Sequence, residues 1–221
     1  LFGFGWWKYS PEVAAKLLER NGFKRDRSGR WLLPDGKPWK IVITSHPNAA
    51  HPGYKNSFAV AQQWRKFGID VEVQTSEQYS TLSSYGQVEV SSNWPAYEPW
   101  GGHPDLYRTL RMWHSKYVKP INDVSVGHHC RWSHPELDKV IDQMEKMAFD
   151  DPAIIDLAIE GLKITAAEMP SIPTFTYPGF VGWDETYWTN YPGAENPYQQ
   201  PYQHWPNFQF MLPFLQPTGK K

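Results

Sequence analysis

Residue types that do covalent chemistry are present in this chain, but their spacing fits no catalytic template. There is no Gly-x-Ser-x-Gly elbow, no His-Glu-x-x-His helix and no Cys-x-x-Cys pair. Gly3-Phe4-Gly5 lacks both the third glycine and the preceding strand of a phosphate cradle. His128-His129-Cys130 puts metal-ligand types side by side, yet neighbours on a loop or strand point apart and zinc sites use wider spacing. The run reads as a polar loop, and the expectation is no metal and no cofactor. Glycoside hydrolysis needs two carboxyl groups roughly 5–10 Å apart across a cleft. Asp150-Asp151 and Asp184-Glu185 are instead adjacent, the first pair where a helix begins. The expectation is a protein that is not an enzyme and has no catalytic residue. A carbohydrate-active enzyme fragment stays open as an alternative, to be revived if Glu98 faced Asp184 or Glu185 across a cleft.

Aromatic residues are the larger resource. Twelve Trp, 12 Tyr and 11 Phe make 16% of the chain. A sugar ring has apolar C–H faces and a rim of hydroxyls, so Trp and Tyr can stack on it while Asn, Gln, Asp and Glu bond the rim. Trp31, Trp39, Trp64 and Trp113 fall on periodic elements and read as core. Trp94, Tyr97, Trp100, Trp183 and Trp188 lie in Pro, Gly and Asn-rich segments, where ligand contact competes with packing. If those loop aromatics were buried in their own core, a structural or interaction module would be the better reading.

Several elements must position these rings. Ser10 caps a helix whose first residue is Pro11, and Asn21-Gly22 ends it. Trp31–Leu33, the turn Pro34-Asp35-Gly36-Lys37 and Trp39–Thr44 read as a β-hairpin. A helix from Phe58 to Phe67 closes at Gly68 and leads into the alternating strand Ile69–Val73, which makes a right-handed βαβ unit. Residues 88–92 are a third strand, followed by the aromatic loop 93–102. A helix from about Pro104 to Trp113 comes next. The capping box Ser133-His134-Pro135-Glu136 precedes a stripe of Leu137, Val140, Ile141, Met144 and Ala148. Asp151-Pro152 opens a helix with Ile155, Ala158, Ile159 and Leu162 as its buried face, stopped at Met169-Pro170. Nine of the 20 prolines lie from Pro170 onward, so an extended segment is expected there.

Composition narrows the class further. The 221 residues allow one or two domains with a real core. A formal net charge of -1 gives no global attraction to nucleic acid or anionic membrane. The basic run Lys24, Arg25, Arg27, Arg30 is interrupted by Asp26 and reads as solvated surface, so no nucleic acid is expected. Apolar runs such as Ile41-Val42-Ile43 fall far short of the roughly 20 residues of a spanning helix. One cysteine, Cys130, excludes a disulfide scaffold. The apolar start, Leu1 to Trp7, reads as the interior of a longer protein.

Three segments in register carry a resemblance. Ser10-Pro11-Glu12-Val13-Ala14-Ala15-Lys16-Leu17-Leu18-Glu19-Arg20-Asn21-Gly22-Phe23, then Leu33-Pro34-Asp35-Gly36-Lys37-Pro38 leading into Ile41–Thr44, then Gln63-Trp64-Arg65-Lys66-Phe67-Gly68-Ile69-Asp70-Val71-Glu72-Val73, resemble the carboxy-terminal lobe of extracellular solute-binding proteins of family 5. The likeness continues through Asp151-Pro152 and Pro170-Ser171-Ile172-Pro173. These proteins capture peptides or oligosaccharides for ABC importers. The resemblance implies an α/β fold: a small mixed sheet flanked by helices, one lobe of a two-lobed periplasmic-binding-protein-like fold, with an extended carboxy-terminal segment. On this reading residues 1–175 form the lobe, and residues 176–221 pack on a missing N-terminal lobe of the same protein. The implied partners are a small solute and an ABC permease in the membrane. The implied location is periplasmic or extracellular, with attachment as a lipoprotein left open.

Within that family, peptide-binding members follow a strand-end Trp, three residues later, by an Asp that holds the peptide's amino terminus. Here Trp94 matches the Trp, and Tyr97 stands in the acid's place. A buried ammonium without a carboxylate is costly. The ending Tyr187-Trp188-Thr189-Asn190-Tyr191-Pro192, Asn196-Pro197-Tyr198 and Trp205-Pro206-Asn207-Phe208 resembles the cello-oligosaccharide-binding members. The expected ligand is therefore an oligosaccharide of the β-glucan type, with an oligopeptide as the alternative. Trp94, Trp100 and Trp188 are the expected stacking surfaces, and Asn93, Tyr97 and Asn190 the expected hydroxyl partners.

Overall fold

A computed structural model of the chain describes residues 8–92, 105–125, 130–148, 150–174, 181–198 and 209–220. Its architecture is mixed α/β, with small sheets flanked by helices. Helix α1 (Pro11–Arg20) begins where the Ser10 hydroxyl accepts from the Val13 amide, with Pro11 in its first turn. Strands β1 (Lys24–Arg25) and β2 (Trp31–Leu32) form an antiparallel pair.

The central sheet is parallel. Strand β3 (Lys40–Ser45) lies between β4 (Asp70–Thr75) and β5 (Val90–Ser91), in the order β4-β3-β5. The crossover from β3 to β4 is helix α2 (Pro52–Phe67), which ends at Gly68 in the left-handed region, φ 100°. A Cβ at Gly68 would stand 2.5 Å from the Gly29 carbonyl, so glycine is needed there for space as well as for backbone freedom. Helix α3 (Tyr79–Ser84) connects β4 to β5. Trp31, Ile41, Ile43, Ala61, Ile69 and Val71 form the buried core of this half, with Trp39 and Trp64 packed against it. Arg25 lies over the Trp31 ring at 4.3 Å and donates to the carbonyls of Gly29 and Phe67, so part of the basic run is tied to the core.

A second core is helical. It comprises α4 (Leu106–Leu110), the 3-10 turns Arg111–Trp113 and Ser115–Tyr117, α5 (Pro135–Met144) and α6 (Ile154–Glu168). Leu110, Trp113, Leu137, Val140, Ile141, Met144, Ile154 and Ala158 are buried together. Arg131 joins the two halves, since its guanidinium donates to the carbonyls of Lys119, Ser84 and Asp123. Gly86 leaves room for that guanidinium, which a Cβ would meet at 2.5 Å.

Several sequence expectations are corrected. The turn after Leu33 forms and Leu32 bridges to Pro38, but β3 does not continue a hairpin, because its ladder is taken by β4 and β5. Helix α2 starts at Pro52, six residues before Phe58, because His51 caps it. The helix expected over 104–113 is α for Leu106–Leu110 alone and then tightens to a 3-10 turn. The cap of α5 is His134, whose Nδ1 accepts from the Leu137 amide, in place of Ser133. On α6 the buried residues are Ile154, Ala158 and Gly161, while Ile155 and Ile159 face solvent.

The carboxy-terminal segment is extended and folds on itself. Strand β6 (Trp188–Thr189) pairs antiparallel with β7 (Gln216–Pro217). Trp183 stacks on Tyr191 at 4.5 Å, and Tyr198 lies against Phe214 at 4.6 Å. Asn190 sits at the centre with φ 68°.

Candidate ligand site

In open parallel sheets, ligands bind outside the carboxyl ends of the strands, where loops diverge and backbone donors are left over. The three strands here end at Ser45, Thr75 and Ser91 on one edge. That edge collects His46, Asn48 and His51 from the β3–α2 loop, Tyr79 from the start of α3, and Ser92 after β5.

Ser92 is the best held of these. The Tyr79 hydroxyl donates to its carbonyl at 2.6 Å, and the Asn56 amide donates to its hydroxyl at 2.7 Å. Gly53 lies so close that a Cβ would stand 2.6 Å from the same carbonyl. Burial pushes the Tyr79 phenol up to about 12, so it remains a donor throughout ordinary pH. Beside it the His46 and His51 rings stack at 4.3 Å with 14° between planes, and Tyr79 meets His46 edge-on at 6.0 Å. His46 Nδ1 accepts from the Asn48 amide at 3.0 Å, and His51 Nδ1 from the Gly53 amide at 3.1 Å. With Nδ1 occupied as an acceptor, each neutral ring carries its proton on Nε2. The edge therefore gathers hydrogen-bonding groups and rings, and its loops also carry the exposed charges of Lys55, in the first turn of α2, and Glu77, between β4 and α3.

Among the residues singled out in the sequence, Asn93, Trp94, Tyr97, Trp100 and Glu98 lie outside the described residues. They continue the chain directly from Ser92. Trp188 and Asn190 are described, and they share the end of β6. Trp188 is 49% exposed, so a ring face is open to a partner. The Asn190 amide donates to the Phe214 carbonyl at 2.6 Å while its oxygen accepts from Asn196 at 2.7 Å, so its first task is to clasp the segment. Asp184 accepts from the Thr186 hydroxyl and amide, which hold its carboxyl below the usual range. Asp151 accepts from the Ala153 amide at the start of α6. Both acids are thus engaged in turns, and no group of three or more metal-ligating side chains is found among the described residues.

Sequence reasoning did not single out His46, His51, Asn56 or Tyr79. The signal was indirect: three strands expected in βαβ order fix one carboxyl edge, and the residues that follow each strand must gather there.

No family model matches this chain, and no curated protein matches it. Solved structures do. One is a periplasmic oligopeptide-binding protein of an oligopeptide ABC transporter from Thermotoga maritima, 23% identical with a TM-score of 0.66, covering 86% of this chain and 35% of that one. A second, of the same protein with mannohexaose bound, is 22% identical with a TM-score of 0.65, covering 96% of this chain and 40% of that one. A third is the oligopeptide-binding protein AppA of Bacillus subtilis in complex with a nonapeptide, 16% identical with a TM-score of 0.55, covering 74% and 31%. The fold is part of the periplasmic-binding-protein architecture. This chain spans 35–40% of the length of the first two solved structures.

Proposed function

We propose that this chain is the carboxy-terminal lobe of a family 5 solute-binding protein that captures neutral oligosaccharides and presents them to an ABC permease. The reading includes a periplasmic or cell-surface location and no bond-making step. No helix among the described residues is long and apolar enough to cross a membrane. The observation that carries the ligand class is the carboxyl edge of the parallel sheet, which offers hydrogen-bonding groups and rings and leads at Ser92 into the Trp94–Trp100 segment. A fold shared with a protein solved with mannohexaose bound supports the same class.

In this account the ligand lies between this lobe and the other, and closure completes its cage. Trp94, Trp100 and Trp188 stack on sugar faces, and Asn93 and Tyr97 bond the hydroxyl rim. Asn190 contributes the amide hydrogen left over from its clasp. The exposed apolar side chains of the tail, among them Tyr187, Phe210, Leu212 and Phe214, pack on the second lobe.

An oligopeptide is the second reading, favoured by the nonapeptide complex of the Bacillus subtilis structure. Tyr97, in place of a carboxylate for the peptide's amino terminus, stands against it. Tryptophan-fluorescence titration with cello-oligosaccharides, mannohexaose and short peptides separates the two. A saturable change with sugars alone is expected, and one with peptides alone would transfer the assignment to the second reading.

A further inference from the structure

We infer that the corner where the β1–β2 turn meets the end of α2 is a docking surface for the anionic phospholipid headgroups of a bilayer. The corner lies at the other end of α2 from the carboxyl edge of the sheet, and its chemistry is independent of the solute.

Lys24, Arg25, Arg27 and Arg30 come from the β1–β2 hairpin, and Arg65 and Lys66 from the last turn of α2. All six are exposed. The two segments meet closely. Arg25 donates to the Phe67 carbonyl at 3.2 Å, the Trp31 amide donates to the Gly68 carbonyl at 2.8 Å, and the Gly29 carbonyl leaves no room for a Cβ at Gly68. Residues 24–31 and 64–70 thus gather six cations against two acids, in a chain that carries 22 against 23.

Cations near a helix end are ordinarily accounted for by its dipole or by ion pairs. The carbonyls at the end of α2 engage Arg25 alone of the hairpin cations. Among the described residues none of the six forms an ion pair. Three of them are instead fixed by neutral oxygens: Arg25 also by the Gly29 carbonyl at 2.6 Å, Arg65 Nε by the Val71 carbonyl at 2.7 Å, and Arg30 Nε by the Ser28 hydroxyl at 3.2 Å. A guanidinium held in this way is pre-positioned with its charge intact.

The two acids are engaged locally. Asp26 Oδ1 accepts from the Ser28 amide and hydroxyl and from the Arg30 amide, which shapes the turn, and its charge offsets Arg30 in part. Asp70 stands in register with Lys40 on β3.

Shape and composition select the partner. An acidic peptide would need a groove or a free strand edge to hold it, whereas this corner is an exposed turn beside a helix end. The large apolar residues of both segments, Trp31, Trp64, Phe67 and Ile69, pack in the core, so none is offered for insertion and the attraction is electrostatic. Arg supplies four of the six cations, and its planar fork matches phosphate oxygens. The 16 residues of α2 separate the corner from His51 and the ligand edge by about 24 Å. A lobe resting on a membrane by this corner keeps that edge clear.

Sedimentation of the 221-residue chain with lipid vesicles tests the docking surface. Vesicles of phosphatidylglycerol and phosphatidylcholine in equal parts should carry the protein down at about 0.05 M salt and release it at about 0.5 M, and phosphatidylcholine alone should not carry it. The Arg27 and Lys66 side chains make no hydrogen bond among the described residues. Arg27→Gln and Lys66→Gln should therefore leave the thermal midpoint unchanged, and each should weaken the partition about fivefold. Lys163→Gln removes the same charge from α6, in the helical half, and should leave the partition nearly unchanged. Equal weakening by Lys163→Gln would reduce the effect to net charge and overturn the corner. No sedimentation with phosphatidylglycerol at low salt, or equal sedimentation with phosphatidylcholine, would overturn the lipid surface. Release by millimolar inorganic phosphate at constant ionic strength would assign a small-anion site instead, and binding of soluble polyglutamate by a protein that ignores the vesicles would assign an acidic polypeptide.

Discussion

The Tyr79 hydroxyl reaches the carbonyl of Ser92 at 2.6 Å, tying the first residue of α3 to the last described residue before the aromatic segment. Tyr79 is 2% exposed and the bond is part-buried, so loss of the donor leaves the Ser92 carbonyl with a poorer partner. Tyr79→Phe keeps the ring packing and removes only the donor. The expected loss is about 1–2 kcal/mol in urea unfolding, accompanied by a severalfold weaker ligand affinity. Equal affinity in the two proteins would show that Ser92 does not aim the segment beyond it.

Arg131 should be the most sensitive exposed-looking position. It adopts φ 51° and its guanidinium satisfies three carbonyls on two segments. Arg131→Ala is expected to destabilise the protein by about 3 kcal/mol, and Arg131→Lys should recover only part of that, because an ammonium cannot reproduce the planar fork. Full recovery with lysine in denaturant titration would mean that charge, not fork geometry, holds the segment.

Gly161 is a packing prediction with a definite sign. A Cβ there would stand 2.7 Å from Leu110 Cδ1 and 3.1 Å from Leu137 Cδ1. Alanine normally gains up to about 1 kcal/mol over glycine inside a helix, but Leu110 and Leu137 are fully buried and have nowhere to move. Gly161→Ala should therefore lower stability, by about 1–2 kcal/mol. A rise in the thermal midpoint would show that the α4–α5–α6 core has slack.

Acid should weaken the fold in two stages. His51 has a folded-state pKa below its ordinary 6.5, so the unfolded chain takes up the proton first. The stability it contributes is complete above the ordinary value and is lost as pH falls toward the folded value. The carboxylates come later. Glu145, held low by the Tyr107 hydroxyl and then Lys116, and Glu72, held low by Lys40 and then Gln74, contribute stability above their ordinary 4.5 that is lost as pH falls through their folded values. Thermal midpoints measured against pH should show a step near the histidine range that H51N removes and a second, salt-sensitive one below it that H51N leaves in place. A single step at carboxylate pH would contradict the first stage.

Helical stripes with one apolar face were legible in the sequence. Leu137, Val140, Ile141 and Met144 are buried as their spacing demands, and Trp31 and Trp113 fill cores as their periodic context suggests. The stripe on α6 was misread because that helix is apolar on more than one side. Ala158 and Gly161 win the interior since small residues let Leu110 and Leu137 approach, a choice that depends on the partner and not on periodicity. The start of α2 was hidden for a different reason: a histidine cap followed by proline has no standing among common start signals, although it satisfies the same amide. The βαβ order and the third strand were foreseen, whereas the gathering of His46, His51, Tyr79 and Ser92 is a product of sheet register that no single segment encodes.

The most direct test of the ligand class is isothermal titration calorimetry of the protein with mannohexaose, a cello-oligosaccharide and a short peptide, repeated from about 0.05 to about 0.5 M salt. The account predicts saturable sugar binding that salt leaves nearly unchanged, because the solute carries no charge, and a clear loss in Trp188→Ala. Saturable binding of the peptide alone, weakening as salt rises, would contradict it.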